Sequence, residues 1–147
     1  MLNDCINFVL TRAQNSVFIY FKSKLSPYDI TPAQYAILKC LWDNGDQSPT
    51  QISQCLHLDA STITGILARL ENKDMIQRIN SKTDRRAVIV RIKEAGLALR
   101  EPIEIAIDQA NQEMLSALSI DELNDFRRYI DRITATAENT VIEQEMS

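Results

Sequence analysis

The chain writes the same helix start twice, as Thr31-Pro32-Ala33-Gln34 and again as Ser48-Pro49-Thr50-Gln51. In each, a hydroxyl can accept from the backbone of the third helical residue. Proline suits the first turn, where no N–H is needed, and the amide can return the bond. With the turn sequence Asp43-Asn44-Gly45-Asp46 between them, this predicts a helix running to about Trp42, a tight reversal, and a short helix ending near Leu56. Only three Gly and four Pro in 147 residues leave few other breaks, so helix should dominate.

The flanking segments continue the pattern. Leu2, Ile6, Val9, Ala13, Val17 and Tyr20 recur at helical spacing, with Leu10, Phe18 and Phe21 widening the stripe, which predicts one helix over 2–25 buried on more than one side. After His57-Leu58, where His57 reads as a local capping residue, Asp59 or Ser61 can cap a fourth helix reaching about Asp74. Its core stripe is Ile63, Ile66, Leu67 and Leu70. The opposite face carries Ser61, Gly65, Ala68 and Asn72, flanked by Thr62, Thr64 and Arg69. Small and hydrogen-bonding side chains let a helix lie close to another surface, and their groups match phosphates and base edges. An ordinary solvated face would carry more Glu and Lys.

From Ile76 the period changes to two, through Ile79 and again over Val88–Ile92, which predicts a hairpin whose tip is Asn80-Ser81-Lys82-Thr83-Asp84-Arg85-Arg86. A long helix then opens at Lys93-Glu94-Ala95-Gly96, with a kink or restart at Pro102 and a stop near Leu118. Ser119-Ile120-Asp121-Glu122 is a third capping box. It starts a helix striped by Leu123, Phe126, Ile130, Ile133, Ala137 and Val141, as for packing along another helix.

Charge is uneven. Eight basic residues against three acidic ones give 69–93 a net +5, so the chain's total of −4 leaves −9 elsewhere. Such a chain can meet a polyanion at one stretch and repel it elsewhere. Charge alone leaves a solvated basic face equally open.

Several functions are excluded or unsupported. No carboxylate pair is backed by His or Lys and no glycine-rich phosphate loop occurs, so no enzyme is expected. Cys5, Cys40 and Cys55 with a single histidine, His57, give neither a disulfide framework nor a metal site, and no cofactor is implied. Cys40 and Cys55 fall among Ile37, Leu41, Ile52 and Leu56 and read as inert core. The longest apolar run, Val17–Phe21, is far too short to span a membrane, and the expectation is a cytoplasmic protein without membrane contact.

Helix, turn, short helix, small-faced helix and basic hairpin is the order of a winged helix-turn-helix. The fold class expected is mainly α with a small β-hairpin wing and N- and C-terminal dimerisation helices. Residues Ile30-Thr31-Pro32-Ala33-Gln34-Tyr35, Leu58-Asp59, Leu70-Glu71-Asn72-Lys73, Asp84-Arg85-Arg86 and Ile92-Lys93-Glu94-Ala95-Gly96 carry a further signal. Through them the chain resembles the MarR (multiple antibiotic resistance regulator) family of bacterial transcription factors. Ile92-Lys93 departs from the family's usual Leu-Thr.

The resemblance implies a homodimer, in which 1–29 and 97–147 interlock and 30–96 form the DNA-binding lobe. It would repress from a pseudopalindromic operator on double-stranded DNA. DNA contacts are expected from Ser61, Thr62, Thr64, Gly65, Ala68, Arg69 and Asn72 on the helix and from Lys82, Asp84, Arg85 and Arg86 on the wing. Arg86 matches the arginine that enters the minor groove, and Asp84 the acid that orients the wing. Many relatives bind small phenolic or anionic effectors between the dimer helices and the DNA lobe. The candidates for such a site are Arg12, Asn15 and Ile19 with Tyr35, Lys39 and Trp42, although Ile19, Tyr35 and Trp42 also fit a core. Two alternatives stand beside this reading: an oxidant sensor using Cys5, and a protein-interaction module whose hairpin meets an acidic partner.

Overall fold

The structure, a computed structural model, describes residues 1–84 and 86–147; Arg85, expected on the wing, lies outside them. It comprises two compact units, residues 1–110 and 111–147.

In the first unit, α1 (Ile6–Leu25) is preceded by a separate tight turn at Leu2–Asp4, in which the terminal ammonium pairs with Asp4 Oδ2 at 3.2 Å. The helix expected from Leu2 therefore starts at Ile6, because Cys5 takes an extended backbone between the two pieces. Nor is α1 buried on more than one side in this chain. Only Leu25 is fully buried, and Ile6 and Ile19 remain 54% and 68% exposed.

Helices α2 (Pro32–Asn44) and α3 (Pro49–Leu56) begin as expected, with both reciprocal capping bonds present at each. Thr31 Oγ1 accepts from Gln34 N at 3.1 Å, and Ser48 Oγ from Gln51 N at 3.1 Å. The reversal between them turns on Gly45, whose φ of 73° and ψ of −151° fit only a residue without Cβ. His57 closes α3 in the left-handed region, φ 53°, which accounts for a local role.

Asp59, rather than Ser61, caps α4 (Ala60–Asn72), and the helix ends before Asp74, which adopts φ 60°. Strands β1 (Ile76–Asn80) and β2 (Val88–Ile92) pair antiparallel from Ile76 opposite Ile92 to Asn80 opposite Val88. Gln47, just before α3, adds a single bridge to Val90 on β2. The chain then makes α5 (Glu94–Ala98) and α6 (Arg100–Leu115). The expected restart falls at Leu99, which puts Pro102 in the first turn of α6, and α6 ends at Leu115 rather than near Leu118.

Apolar stripes from these elements share one core. Ile37, Leu38, Leu41, Ile52, Ile63, Leu67, Leu70, Ile76, Val90 and Ile103 are each at most 2% exposed. The second unit contains the end of α6 and α7 (Ile120–Met146), which has the expected Ser119–Glu122 capping box and no buried residue. Among the described residues no helix is long and apolar enough to cross a membrane.

Candidate nucleic-acid interface

Burying Ile63, Ile66, Leu67 and Leu70 turns the other side of α4 outward. Ser61, Thr62, Thr64, Gly65, Arg69 and Asn72 are exposed there and Ala68 half-buried, so the structure brings the predicted helix residues onto one side. Asp59 Oδ1 fixes the start of this face by accepting from Thr62 N at 2.7 Å and Ser61 Oγ at 2.8 Å. Thr64 Oγ1 donates to Ala60 O, leaving its lone pairs free to accept.

The backbone hydrogen bond from Thr62, then the Ser61 hydroxyl, holds the Asp59 carboxyl below its usual range. A folded pKa that is depressed gives stability present above the ordinary value, about 3.9 for Asp, and lost as pH falls through the folded value. Asp59→Asn keeps a capping oxygen but removes the titration. It should therefore lose less stability than wild type between about pH 5 and about pH 2, read as urea midpoints; equal losses would exclude this contribution.

At the hairpin tip, Asp84 Oδ1 accepts from Arg86 N at 2.9 Å, and Asp84 O from Ala87 N at 3.1 Å. Asp84 thus shapes the turn that presents Arg86. Lys82, Asp84 and Arg86 are all exposed.

The basic segment divides in two. Lys73 pairs with Asp29 at 3.5 Å and reaches Gln34 Oε1, Arg78 pairs with Glu71 at 3.2 Å, and Lys93 pairs with Asp74. Arg91 and Asp46 form a two-pronged contact of 2.6 and 2.9 Å that raises the Arg91 pKa further. These four cations hold α2, α4 and the hairpin together. Arg69, Lys82 and Arg86 have no carboxylate partner among the described residues, and they lie on α4 and at the hairpin tip. The net +5 read from sequence therefore overstates the charge open to a polyanion.

Asp46, Gln47 and Arg91 were missed by sequence reasoning. Gln47 exchanges backbone bonds of 3.2 and 2.7 Å with Val90, and with the Asp46–Arg91 pair it ties the wing to the α2–α3 turn. The acid and the base stand 45 residues apart, so no local spacing announces the pair.

The effector candidates have separate surroundings. Arg12 lines a shallow depression with Asn3, Phe8, Val9, Ala13 and Ser16, and Asn15 and Ile19 are exposed on the same helix. Trp42 is core, its Nε1 donating to Gly96 O at 3.1 Å, and its ring lies 6.4 Å from that of Tyr35. Burial pushes the half-buried Tyr35 phenol up, partly offset by Lys39. Lys39 contacts Glu104 at 2.9 Å and Asp43 at 3.2 Å, bonds that raise its pKa. Among the cysteines, Cys5 is exposed at the start of α1 and Cys40 is buried. Cys55 is exposed, not core, because Ile52 takes the inward position on α3. Among the described residues no group of three or more His, Cys, Asp or Glu could hold a metal.

The MarR family model matches residues 30–88, the span from the start of α2 into β2. The HTH-type transcriptional regulator MhqR of Bacillus subtilis is 31% identical over 131 residues, covering 88% of this chain and 89% of that relative. The chain belongs to the MarR family. It is accordingly a DNA-binding transcription regulator, in a family of regulators rather than enzymes. Its fold is shared with PcaV from Streptomyces coelicolor, solved in complex with its natural ligand, at TM-score 0.86 and 24% identity over 93% of this chain and 96% of that one. A mutant MarR from E. coli complexed with operator DNA gives 0.83 and 24% over 90% and 97%.

Proposed function

We propose that this MarR-family chain is a repressor that binds a pseudopalindromic operator as a homodimer and is released by a small aromatic or anionic effector. The observation that carries the DNA-facing part is the division of the basic residues. Four brace the lobe, while Arg69 on the small, polar outer face of α4 and Lys82 and Arg86 at the hairpin tip have no carboxylate partner among the described residues. In this reading Ser61, Thr62, Thr64, Gly65, Ala68, Arg69 and Asn72 meet the major groove. Lys82, Arg85 and Arg86 reach the minor groove or backbone, with Asp84 holding the turn.

Dimerisation through 1–29 and 97–147 is supported by apolar side chains without cover. Val17, Phe18 and Ile19 on α1 and Phe126, Ile133, Val141 and Ile142 on α7 are exposed. Large apolar side chains left exposed along each of these helices are what an interface would cover. The effector part rests on family membership and on the ligand bound by the related PcaV. Arg12, with Asn15 and Ile19, is the cationic candidate on α1, since Lys39 is engaged by Glu104 and Asp43.

The test is binding to DNA flanking the chain's own gene. Two protomers should bind per operator, with an affinity that falls steeply with salt as counterions are released. Arg86→Ala should weaken binding by about 1–3 kcal/mol. A flat salt slope, or unchanged affinity in the variant, would return the hairpin to a protein-contact role.

A further inference from the structure

The last turn of α2 holds no basic residue of its own, although a helix C-terminus, with unpaired carbonyls and the negative end of the dipole, favours a cation. The cation comes from α6. Arg100 is the first residue of α6, where that helix's own dipole disfavours positive charge, and it reaches across to α2. All three guanidinium nitrogens are used, each on a different acceptor. Nη1 donates to Trp42 O at 2.8 Å, Nη2 to Asp43 Oδ1 at 3.3 Å and Nε to Glu104 Oε1 at 3.2 Å. Lys39 closes the figure, its Nζ 3.2 Å from the same Asp43 oxygen and 2.9 Å from the same Glu104 oxygen. Two cations and two carboxylates thus alternate around a ring, Lys39 and Asp43 from α2, Arg100 and Glu104 from α6. The Lys39 hydrogen bond, opposed in part by desolvation, holds the Glu104 carboxyl below its usual range. In the other direction Trp42 Nε1 donates to Gly96 O on α5 at 3.1 Å, so Trp42 is bonded on both sides of the α5–α6 joint at Leu99.

We propose that Arg100 is a positioning residue for DNA binding, setting the angle at which the helix-turn-helix stands on α6. Ile103 and Ile107 of α6 already pack into the core shared with α2, but apolar contact is non-directional and tolerates small rotations. A planar guanidinium held by three acceptors does not. The ring side chains are partly exposed, and ion pairs in such places add little to stability, so what the ring supplies is direction. Just past the Gly45 reversal, Asp46 and Gln47 are clamped in turn by Arg91 and Val90 on β2. A rotation at Arg100 therefore carries α2, the reversal and the wing together and leaves the lobe itself intact.

The consequence for an operator rests on the dimer reading above. With 97–147 joining two protomers, the angle of each lobe on α6 sets the distance between the two recognition helices, and the spacing of the half-sites has to match it.

The experiment compares the full wild-type chain with Arg100→Ala and Arg100→Lys. The DNA probes are the operator protected in DNA flanking the chain's own gene, one isolated half of it, and versions with the centre lengthened or shortened by a single base pair. Both variants should bind the full operator roughly 5-fold or more weakly, the lower end of ordinary coupling between sites. They should also lose the preference for the native spacing, yet bind the isolated half as wild type does. Lysine keeps the charge but not the three-way fork, so wild-type affinity and spacing preference in Arg100→Lys would overturn the proposal. An equal loss on the isolated half, accompanied by a lowered urea midpoint, would reduce Arg100 to holding the fold together and overturn it too. Trp42, the only tryptophan, reads the joint without DNA. Acrylamide should quench it more readily in both variants at an unchanged urea midpoint, and equal quenching in all three proteins would sink the positioning role. A wild type that binds full and half operators alike counts against the dimer reading, and Trp42 quenching then decides for or against Arg100 by itself.

Discussion

A Gly65→Glu protein should fold normally and fail to protect operator DNA. A Cβ built on Gly65 meets nothing within 4 Å, and the residue is exposed in the middle of α4, so the fold has room for the side chain. Replacing a mid-helix glycine should even stabilise the free protein by about 0.5–1 kcal/mol. On DNA, in the function proposed above, the same side chain would have no room. Gly65 lies between Ser61 and Asn72 on the face assigned to the groove, and a carboxylate there meets phosphates and carbonyl acceptors. Like-charge contact of this kind costs several kcal/mol, so affinity should fall roughly 100-fold or more. Footprinting reads the binding and urea unfolding reads the fold. Protection of the same operator by a normally folded Gly65→Glu protein would remove α4 from the interface.

Gly96→Ala should do the reverse, damaging the fold before any DNA is added. Its Cβ would lie 2.6 Å from Met75 O and 2.8 Å from Ile92 Cγ1. Met75 O is already engaged at 2.8 Å by Lys93 N at the base of the hairpin, and Gly96 O accepts from Trp42 Nε1. Backbone on one side and a strand side chain on the other leave little that can yield. Overpacking of this sort costs about 1–3 kcal/mol, and we place this case at the upper end. The urea midpoint should fall and the hairpin should lose protection from hydrogen exchange; an unchanged midpoint would mean that α5 can shift away from β1 and β2 without cost.

The two glycines show where sequence reading ran out. Gly65 could be placed on the outer face from the hundred-degree rotation per residue alone. Gly96 appeared as part of a helix start and of the family resemblance but not as a packing constraint, because what crowds it comes from Met75 and Ile92, brought there by the hairpin. The cysteines divide in the same way. Helical spacing put Cys40 and Cys55 among apolar neighbours, but α3 has only eight residues, and Ile52 rather than Cys55 fills its inward position. A stripe on so short a helix leaves the second inward residue undetermined. For α1 and α7 the stripes were legible, yet the side chains that form them stay largely exposed in this chain.

What the sequence determined by itself is local: three capping boxes, the Gly45 reversal, the change from helical to two-residue period at Ile76, and the outer face of α4. Each depends on groups within about one helical turn or one strand step of each other, so spacing is enough to specify it. Tertiary structure alone decided which cations remain open. Lys73 meets Asp29 and Arg91 meets Asp46 across 44 and 45 residues of chain, contacts that exist only once α2, α4 and the hairpin have packed. Charge counts add every lysine and arginine alike, but only the packed chain brings a distant carboxylate within reach of some and leaves Arg69, Lys82 and Arg86 without one among the described residues.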